Sequence, residues 1–254
     1  PAHAPPAAGT EHALEGIRGA RVLLVEDNEF NQQVAMGLLE QLDILVDVAN
    51  NGIEALRRVS ERSYDAVLMD LQMPLMDGFE ATRNIRQEQK FHDLPIIAMT
   101  ASVMSGDREL CLAAGMNGHV PKPIDPDELL RALLQTIAPL PHRGKPARPA
   151  AAPAAGAEKA ITLDLPGFDV AAALQRVRGK TDQYLKFLRL FRESNADFVP
   201  RVGAALDSND FKAAERLAHT LKGSSGSLGA TALQEAASRL EQSCRGAQLA
   251  TSRN

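Results

Sequence analysis

The sequence predicts an α/β domain built on a five-stranded parallel sheet, followed by a separate all-α helical bundle. Three observations predict it. Through about residue 138, short apolar runs alternate with segments of helical periodicity. After about residue 164 the helical periodicity continues with no strand pattern at all. Between the two, the composition changes abruptly to PLPHRGKPARPAAAPAAGAEKA, with five prolines and little that could pack a core.

In the first part, Arg21–Val25, Leu45–Ala49, Asp65–Met69, Pro95–Thr100 and Gly118–Pro121 read as five strands. Helical patterns fill the gaps at about 30–41, 51–61, 77–89, 106–115 and 126–137. Apolar strands separated by helices indicate a parallel sheet covered on both faces. Ligands of such sheets bind at the carboxyl ends of the strands, so chemistry is sought there. The segment before Gly19 reads as the linker of an excised fragment, and residues 139–163 as a second linker, whose stretch from Ala138 to Ala160 could span roughly 70 Å at about 3.1 Å per residue. In the last part, helices are expected at about 168–178, 182–207, 210–227 and 231–246. Phe187, Phe191, Phe198 and Val202 lie near one face of the second; Phe211, Ala214, Ala218, Leu221 and Leu228 form a stripe on the third.

Composition limits the function. The 254 residues carry 44% hydrophobic and 24% charged side chains, an ordinary globular balance. No run approaches the roughly 18 apolar residues that span a bilayer. The net charge of −4 divides into −7 over residues 1–160 (15 Lys and Arg, 22 Asp and Glu) and +3 over the rest (13 and 10). Neither part is basic enough for nucleic acid, although the opposite signs could draw the two parts together. Cys111 and Cys244, the two cysteines, offer no disulfide framework or zinc site and read as small core residues.

The strand ends carry the chemistry. Glu26 and Asp27 follow the first strand and Asp70 ends the third. Three converging carboxylates repel one another unless a cation sits among them, and an oxygen-only ligand set with room for water suits Mg²⁺. Thr100 ends the fourth strand with a hydroxyl, and Lys122 follows the fifth with a point charge. Nucleophile, metal, hydroxyl and ammonium together form a site for a phosphoryl group, with Asp70 as attacking carboxylate. One Asp at a strand end is more often a helix cap; the coincidence of five residue types carries the reading. An Mg²⁺-dependent phosphatase would need a second acid just after the nucleophile, and Leu71-Gln72 offers none.

The strings VEDNEFNQQVA, YDAVLMDLQMPLMDGFEATRNIR, PIIAMTA and GHVPKPID resemble the response regulator receiver domain over residues 20–138, in the form embedded in hybrid sensor histidine kinases. The resemblance implies a flavodoxin-like sheet of order 2-1-3-4-5 and makes Asp70 the phosphoacceptor. It implies Asp27 as direct metal ligand, Glu26 acting through water, and the Gln72 backbone carbonyl as a further ligand. Thr100 and Lys122 would hold the phosphoryl oxygens, and Lys122–Pro123 would be cis. His119 occupies the place of an aromatic switch residue, so a switch role beside Thr100 and a plain packing role both stay open.

In the last part, His219 lies in AHTLKGSSGSLGA. It falls about 200° around the helix from Leu221, at 3.6 residues per turn, and so points away from the apolar stripe. Lys222, Gly223 and Gly226 share its face; the glycines open space for a partner's acidic pocket and Lys222 offsets phosphate charge. A lone surface histidine is usually idle, but this context is not. The motif His219, Leu221, Lys222, Gly223, Ser224, Ser225 resembles the histidine phosphotransfer domain over about residues 168–246. That family implies a further long helix, which GAQLATSRN is too short to supply, so the bundle is expected to lack its last helix or to be closed by another part of the molecule.

Together the resemblances imply a Mg²⁺-dependent phosphorelay in which Asp70 and His219 are both phosphorylated, with an upstream histidine kinase core and a downstream response regulator receiver as partners. They imply no contact with nucleic acid or membrane, and a cytoplasmic segment of a bacterial sensor kinase anchored in the inner membrane. No ATP-binding kinase core is recognisable. The alternative from another class is a binding module that holds and releases a protein partner under control of phosphorylation.

Overall fold

The computed structural model describes residues 14–100, 105–139, 165–177 and 179–251. Of the expected linkers, 139–163 lies outside them but for residue 139, and 1–19 is described only over residues 14–19. Strands β1 (Arg21–Val25), β2 (Leu45–Ala49), β3 (Ala66–Asp70), β4 (Ile96–Thr100) and β5 (Gly118–Pro121) form one parallel sheet in the order 2-1-3-4-5. The central strands β3 and β4 are buried at every residue, while the edge strands β2 and β5 are only partly so. Such uniformly apolar runs belong to strands covered on both faces.

Five helices supply the cover: α1 (Glu29–Glu40), α2 (Gly52–Glu61), α3 (Gly78–Gln87), α4 (Ser105–Ala114) and α5 (Pro126–Thr136). Alternate strand residues face opposite layers. Val22 and Leu24 meet Leu38, Leu39, Leu129 and Leu133 of α1 and α5. Leu23 and Val25 meet Ala55, Val59, Ala81, Ile85 and Cys111 of α2, α3 and α4. Ile17, ahead of the boundary drawn at Gly19, packs into the first of these layers. Each of the first three helices opens on a side-chain cap that satisfies an orphan amide: Asn28, Asn51 and Asp77; Asp125, followed by Pro126, does the same for α5.

The remaining helices are α6 (Val170–Arg176), α7 (Thr181–Ser194), α8 (Phe198–Asp207), α9 (Phe211–Ser227) and α10 (Thr231–Thr251). The single helix expected over 182–207 is therefore two. Asn195 closes α7, and Pro200 sits in the first turn of α8, where its missing N–H costs nothing; within a continuous helix it would remove a hydrogen bond to residue 196 and clash there. The break separates residues expected on one face: Phe187 stays with α7, whereas Val202 packs beside Ala205, Ala214 and Cys244. Helix α10 runs to Thr251, five residues past the expected end.

The two domains are docked. Phe30 and Val34 of α1 share one apolar cluster with Ala173, Val177, Tyr184, Phe187 and Leu228 of the helical domain. On this side the bundle is closed by a helix of the α/β domain. Fully burying a phenylalanine contributes about 2–3 kcal/mol, enough to bias a tethered pair of domains towards contact.

Candidate functional site

At the carboxyl edge of the sheet, the order 2-1-3-4-5 brings the ends of β1 and β3 side by side, with Val25 in register with Met69. Glu26 and Asp27 thereby meet Asp70, and ligand oxygens of all three lie within 4.8 Å of one another. Thr100 ends the next strand, Lys122 follows β5, and the Lys122 amide donates to the Thr100 carbonyl at 2.6 Å. The Lys122 ammonium donates to Asp70 Oδ2 at 2.7 Å and to Glu26 Oε2 at 2.6 Å, with all three side chains buried. The Asn31 amide donates to Glu26 Oε1 at 2.9 Å, and the Gln72 backbone N–H donates to Asp70 Oδ1 at 3.3 Å. Lys122–Pro123 is cis.

One ammonium faces three carboxylates. Burial, reinforced by the Asp70 charge, pushes the Glu26 carboxyl up to about 7 although Lys122 opposes the shift. Burial and then Asp70 raise Asp27 to about 6. Burial acts against the Lys122 ammonium, but the charges of Asp70 and Glu26 outweigh it and raise its pKa. When all four groups are ionised the cluster holds two uncompensated negative charges. A small divalent ion fits this deficit and the donor chemistry: two oxygens opposite each other on octahedral Mg²⁺ stand about 4.2 Å apart, at about 2.1 Å per bond. His119 lies on β5 in register with Ala98, half-buried.

The second site differs from its expected form. His219 is only 7% exposed rather than projecting freely from α9. Its Nδ1 is 2.8 Å from Glu241 Oε1 on α10, a partner that sequence reasoning missed. The other carboxylate oxygen of Glu241 accepts from the Lys222 ammonium at 3.1 Å, and Arg245 donates to Oε1 at 3.4 Å. Burial alone would raise the Glu241 carboxyl, but the hydrogen bond and charge of His219, followed by those of Lys222, bring it down to about 2. A signal for Glu241 existed. Gly229, at φ 76°, ends α9 in a left-handed cap, with the Ala230 amide donating to the Ser225 carbonyl at 2.9 Å. In a helical hairpin turning there, His219 and Glu241 are equally far from Ala230 and so face each other.

Of the two glycines expected to leave room for a partner, one does so. Gly223 lies against the α/β domain, where a Cβ would come within 3.9 Å of Lys122 Cδ and Asn31 Nδ2. Gly226 makes room for Gln234 of its own domain. A positive charge on His219 would oppose, as the smallest of several causes, the burial and the Asp70 charge that raise the Asp27 carboxyl. A cavity of about 570 Å³ runs along this junction, lined by Asp27, Asn28 and Pro74 on one side and Arg216, Leu217 and Thr220 on the other. Among the described residues, no helix is long and apolar enough to cross a membrane.

Comparison with known proteins agrees with this layout. Residues 22–134 match the family described as response regulator receiver domain, and residues 186–254 match the Hpt domain. Sensor histidine kinase GacS of Pseudomonas protegens is 32% identical over 88% of this chain and 24% of its own length. The signal transduction histidine-protein kinase BarA of Shigella flexneri is 30% identical over the same shares. A probable histidine kinase of rice is 38% identical over 47% of this chain and 16% of its own length. The chain thus spans a quarter or less of these relatives. Among solved structures, the receiver domain of a sensor histidine kinase from Pseudomonas aeruginosa PAO1, with a magnesium ion in its active-site cleft, is 45% identical, covering 46% of this chain and 97% of that one at a TM-score of 0.44. The chain belongs to two families joined in one polypeptide, a response regulator receiver domain followed by an Hpt domain.

Proposed function

We propose that this chain is a phosphorelay segment of a hybrid sensor histidine kinase, in which Asp70 of the receiver (residues 20–138) exchanges a phosphoryl group with His219 of the Hpt domain (164–254). The observation that carries the reading is the placement of Gly223, one helical turn beyond His219, against Lys122, the residue that holds Asp70. That contact lays the helix bearing His219 over the pocket that holds Asp70, as transfer between the two requires.

Asp27 and Asp70 would hold Mg²⁺ directly, with the Gln72 carbonyl, and Glu26 would act through water. Bound there, the ion would supply charge neutralisation for the phosphoryl oxygens. Lys122 and Thr100 would hold the remaining oxygens, which takes Lys122 off one of its two carboxylates. His219 attacks through Nε2, which requires its proton on Nδ1. Glu241 accepts that proton's hydrogen bond and holds the ring in the competent tautomer. The Nε2–P bond forms as the bond from phosphorus to the Asp70 carboxylate breaks, and the carboxylate leaves without a proton. The ring keeps its Nδ1 proton and becomes cationic, a charge that Glu241 balances; Lys222 offsets the phosphoryl group. No proton need move, so transfer runs in both directions.

The upstream partner would be a histidine kinase core, the downstream one a separate response regulator receiver, and the setting the cytoplasmic side of a membrane-anchored kinase. His119 would take the switch position beside Thr100. A second reading, a binding module controlled by phosphorylation, is favoured by the buried apolar contact of Phe30.

The test is phosphate loading from a small acyl-phosphate donor with Mg²⁺ on the wild-type chain, Asp70→Ala and His219→Ala. Acid-labile label on His219 that disappears in Asp70→Ala is the expected result. Label confined to base-labile Asp70 in the wild type would refute the relay and leave the binding module.

A further inference from the structure

The flank of His219 that faces α10 is fully engaged. Lys222, about 60° around α9 from the histidine, donates to Glu241 at 3.1 Å; Glu215, about 40° round in the same sense, accepts from Arg245 at 2.9 Å. The other flank carries Gly223 and Arg216, at about 40° and 60° in the opposite sense. Gly223 is the residue laid against Lys122 and Asn31 of the receiver. Arg216 is thus the cation of α9 on the side of His219 that meets the receiver.

Arg216 is half-buried, and among the described residues its guanidinium makes no hydrogen bond or ion pair. It stands on the wall of the cavity of about 570 Å³, and Asp27 and Glu29 belong to the receiver's wall of that cavity. Arg201 lines the same cavity but is exposed and lies 3.6 Å from Asp197. A half-buried guanidinium without a partner gives up part of its hydration with nothing in exchange. The group that passes between Asp70 and His219 carries three oxygens and two negative charges. A guanidinium fork matches two such oxygens with parallel hydrogen bonds, which an ammonium cannot do.

We propose that Arg216 is a catalytic residue of the Hpt domain, donating two hydrogen bonds to the phosphoryl oxygens as the group passes between Asp70 and His219. Lys222 offsets charge from the α10 side, where Glu241 shares it; Arg216 acts from the receiver side with its whole charge. The bonds exchanged are those of the relay, Nε2–P for the P–O bond of Asp70, and Arg216 keeps all its protons. The inference rests on the relay reading and adds to it the residue that grips the group in transit.

The test uses the full chain, labelled on His219 by a small phosphoramidate, with Mg²⁺ added to start transfer to Asp70. Arg216→Ala should slow the loss of acid-labile label by about ten- to hundredfold, the worth of hydrogen bonds to a charged group. Arg216→Lys, which keeps the charge but not the fork, should slow it less. Arg201→Gln, on the same cavity, should stay close to wild type. Guanidinium chloride far below denaturing concentrations, compared with sodium chloride at equal ionic strength, should restore part of the rate in Arg216→Ala and leave wild type unchanged. Equal rates in wild type and Arg216→Ala would overturn the proposal and leave the relay standing. A slowed Arg216→Ala that neither guanidinium nor lysine restores would make the residue structural, and equal slowing in Arg201→Gln would reduce it to general surface charge; either overturns the proposal. Label that stays on His219 in the wild type would overturn the relay and this inference with it.

Discussion

The most informative single residue is Glu241. A buried carboxylate is costly unless it is paired, and this one faces His219, Lys222 and Arg245. Its removal should therefore be felt at the histidine. Glu241→Gln keeps the shape and loses the charge; Glu241→Ala loses both. We expect His219 phosphorylation to slow by roughly ten- to hundredfold in Glu241→Ala and by less in Glu241→Gln, the range found when the outer hydrogen-bond partner of a metal-binding histidine is removed. Nitrogen NMR of the ring should show the proton on Nδ1 in the wild type and a mixture of tautomers in Glu241→Ala. Stability carries the same signature. A carboxyl lowered from 4.5 to about 2 by folding stabilises the protein above the unfolded value, and that contribution is lost as pH falls from about 4.5 towards 2. Acid unfolding of Glu241→Gln should begin from a lower plateau and show less slope over this interval. An unchanged tautomer together with an unchanged acid slope would leave Glu241 a packing residue.

At the scale of elements, the loop from β3 to α3 places Asp70. Gly78, the first residue of α3, packs so closely that a Cβ there would collide with the Asp70 carbonyl oxygen and stand 3.0 Å from Leu71 Cα. Neither atom belongs to a flexible side chain, so the loop itself must yield. Gly78→Ala should cost about 1–3 kcal/mol, as overpacked sites do, and should lower Asp70 loading further than the stability loss explains. A denaturant midpoint within error of wild type, with normal loading, would contradict this. The elements also divide what could be read in advance from what could not. Strands β1, β3 and β4 were legible because apolar runs between helices have one stable arrangement, and each falls within a residue of its expected place. The acidic cluster was legible for the same reason, since strand ends fix its members. The break between α7 and α8 was signalled by Pro200 but overridden by an aromatic periodicity running through it. The Glu241–His219 pair escaped because it joins residues 22 apart on two successive helices, and only the position of the Gly229 turn sets that register.

For the whole molecule, what the sequence left open was whether the domains meet. Charge of opposite sign argued weakly for contact, and a linker fixes reach but not orientation. The contact itself rests on Phe30, Val34, Phe187 and Phe191, apolar residues on amphipathic helices whose local pattern cannot say whether they cover their own core or another's. His219 is buried where α9 meets α10, paired with Glu241, and Gly223 on the same face of α9 lies against the receiver. The central claim is that this face passes a phosphoryl group to and from Asp70. The most direct measurement is the lifetime of phosphohistidine on the intact chain with Mg²⁺, after labelling His219 with a small phosphoramidate, compared between wild type and Asp70→Ala. The relay predicts that label leaves His219 faster in the wild type, appears in base-labile form on Asp70 and is released as phosphate, while in Asp70→Ala it stays on the histidine. Equal lifetimes in the two chains would contradict it.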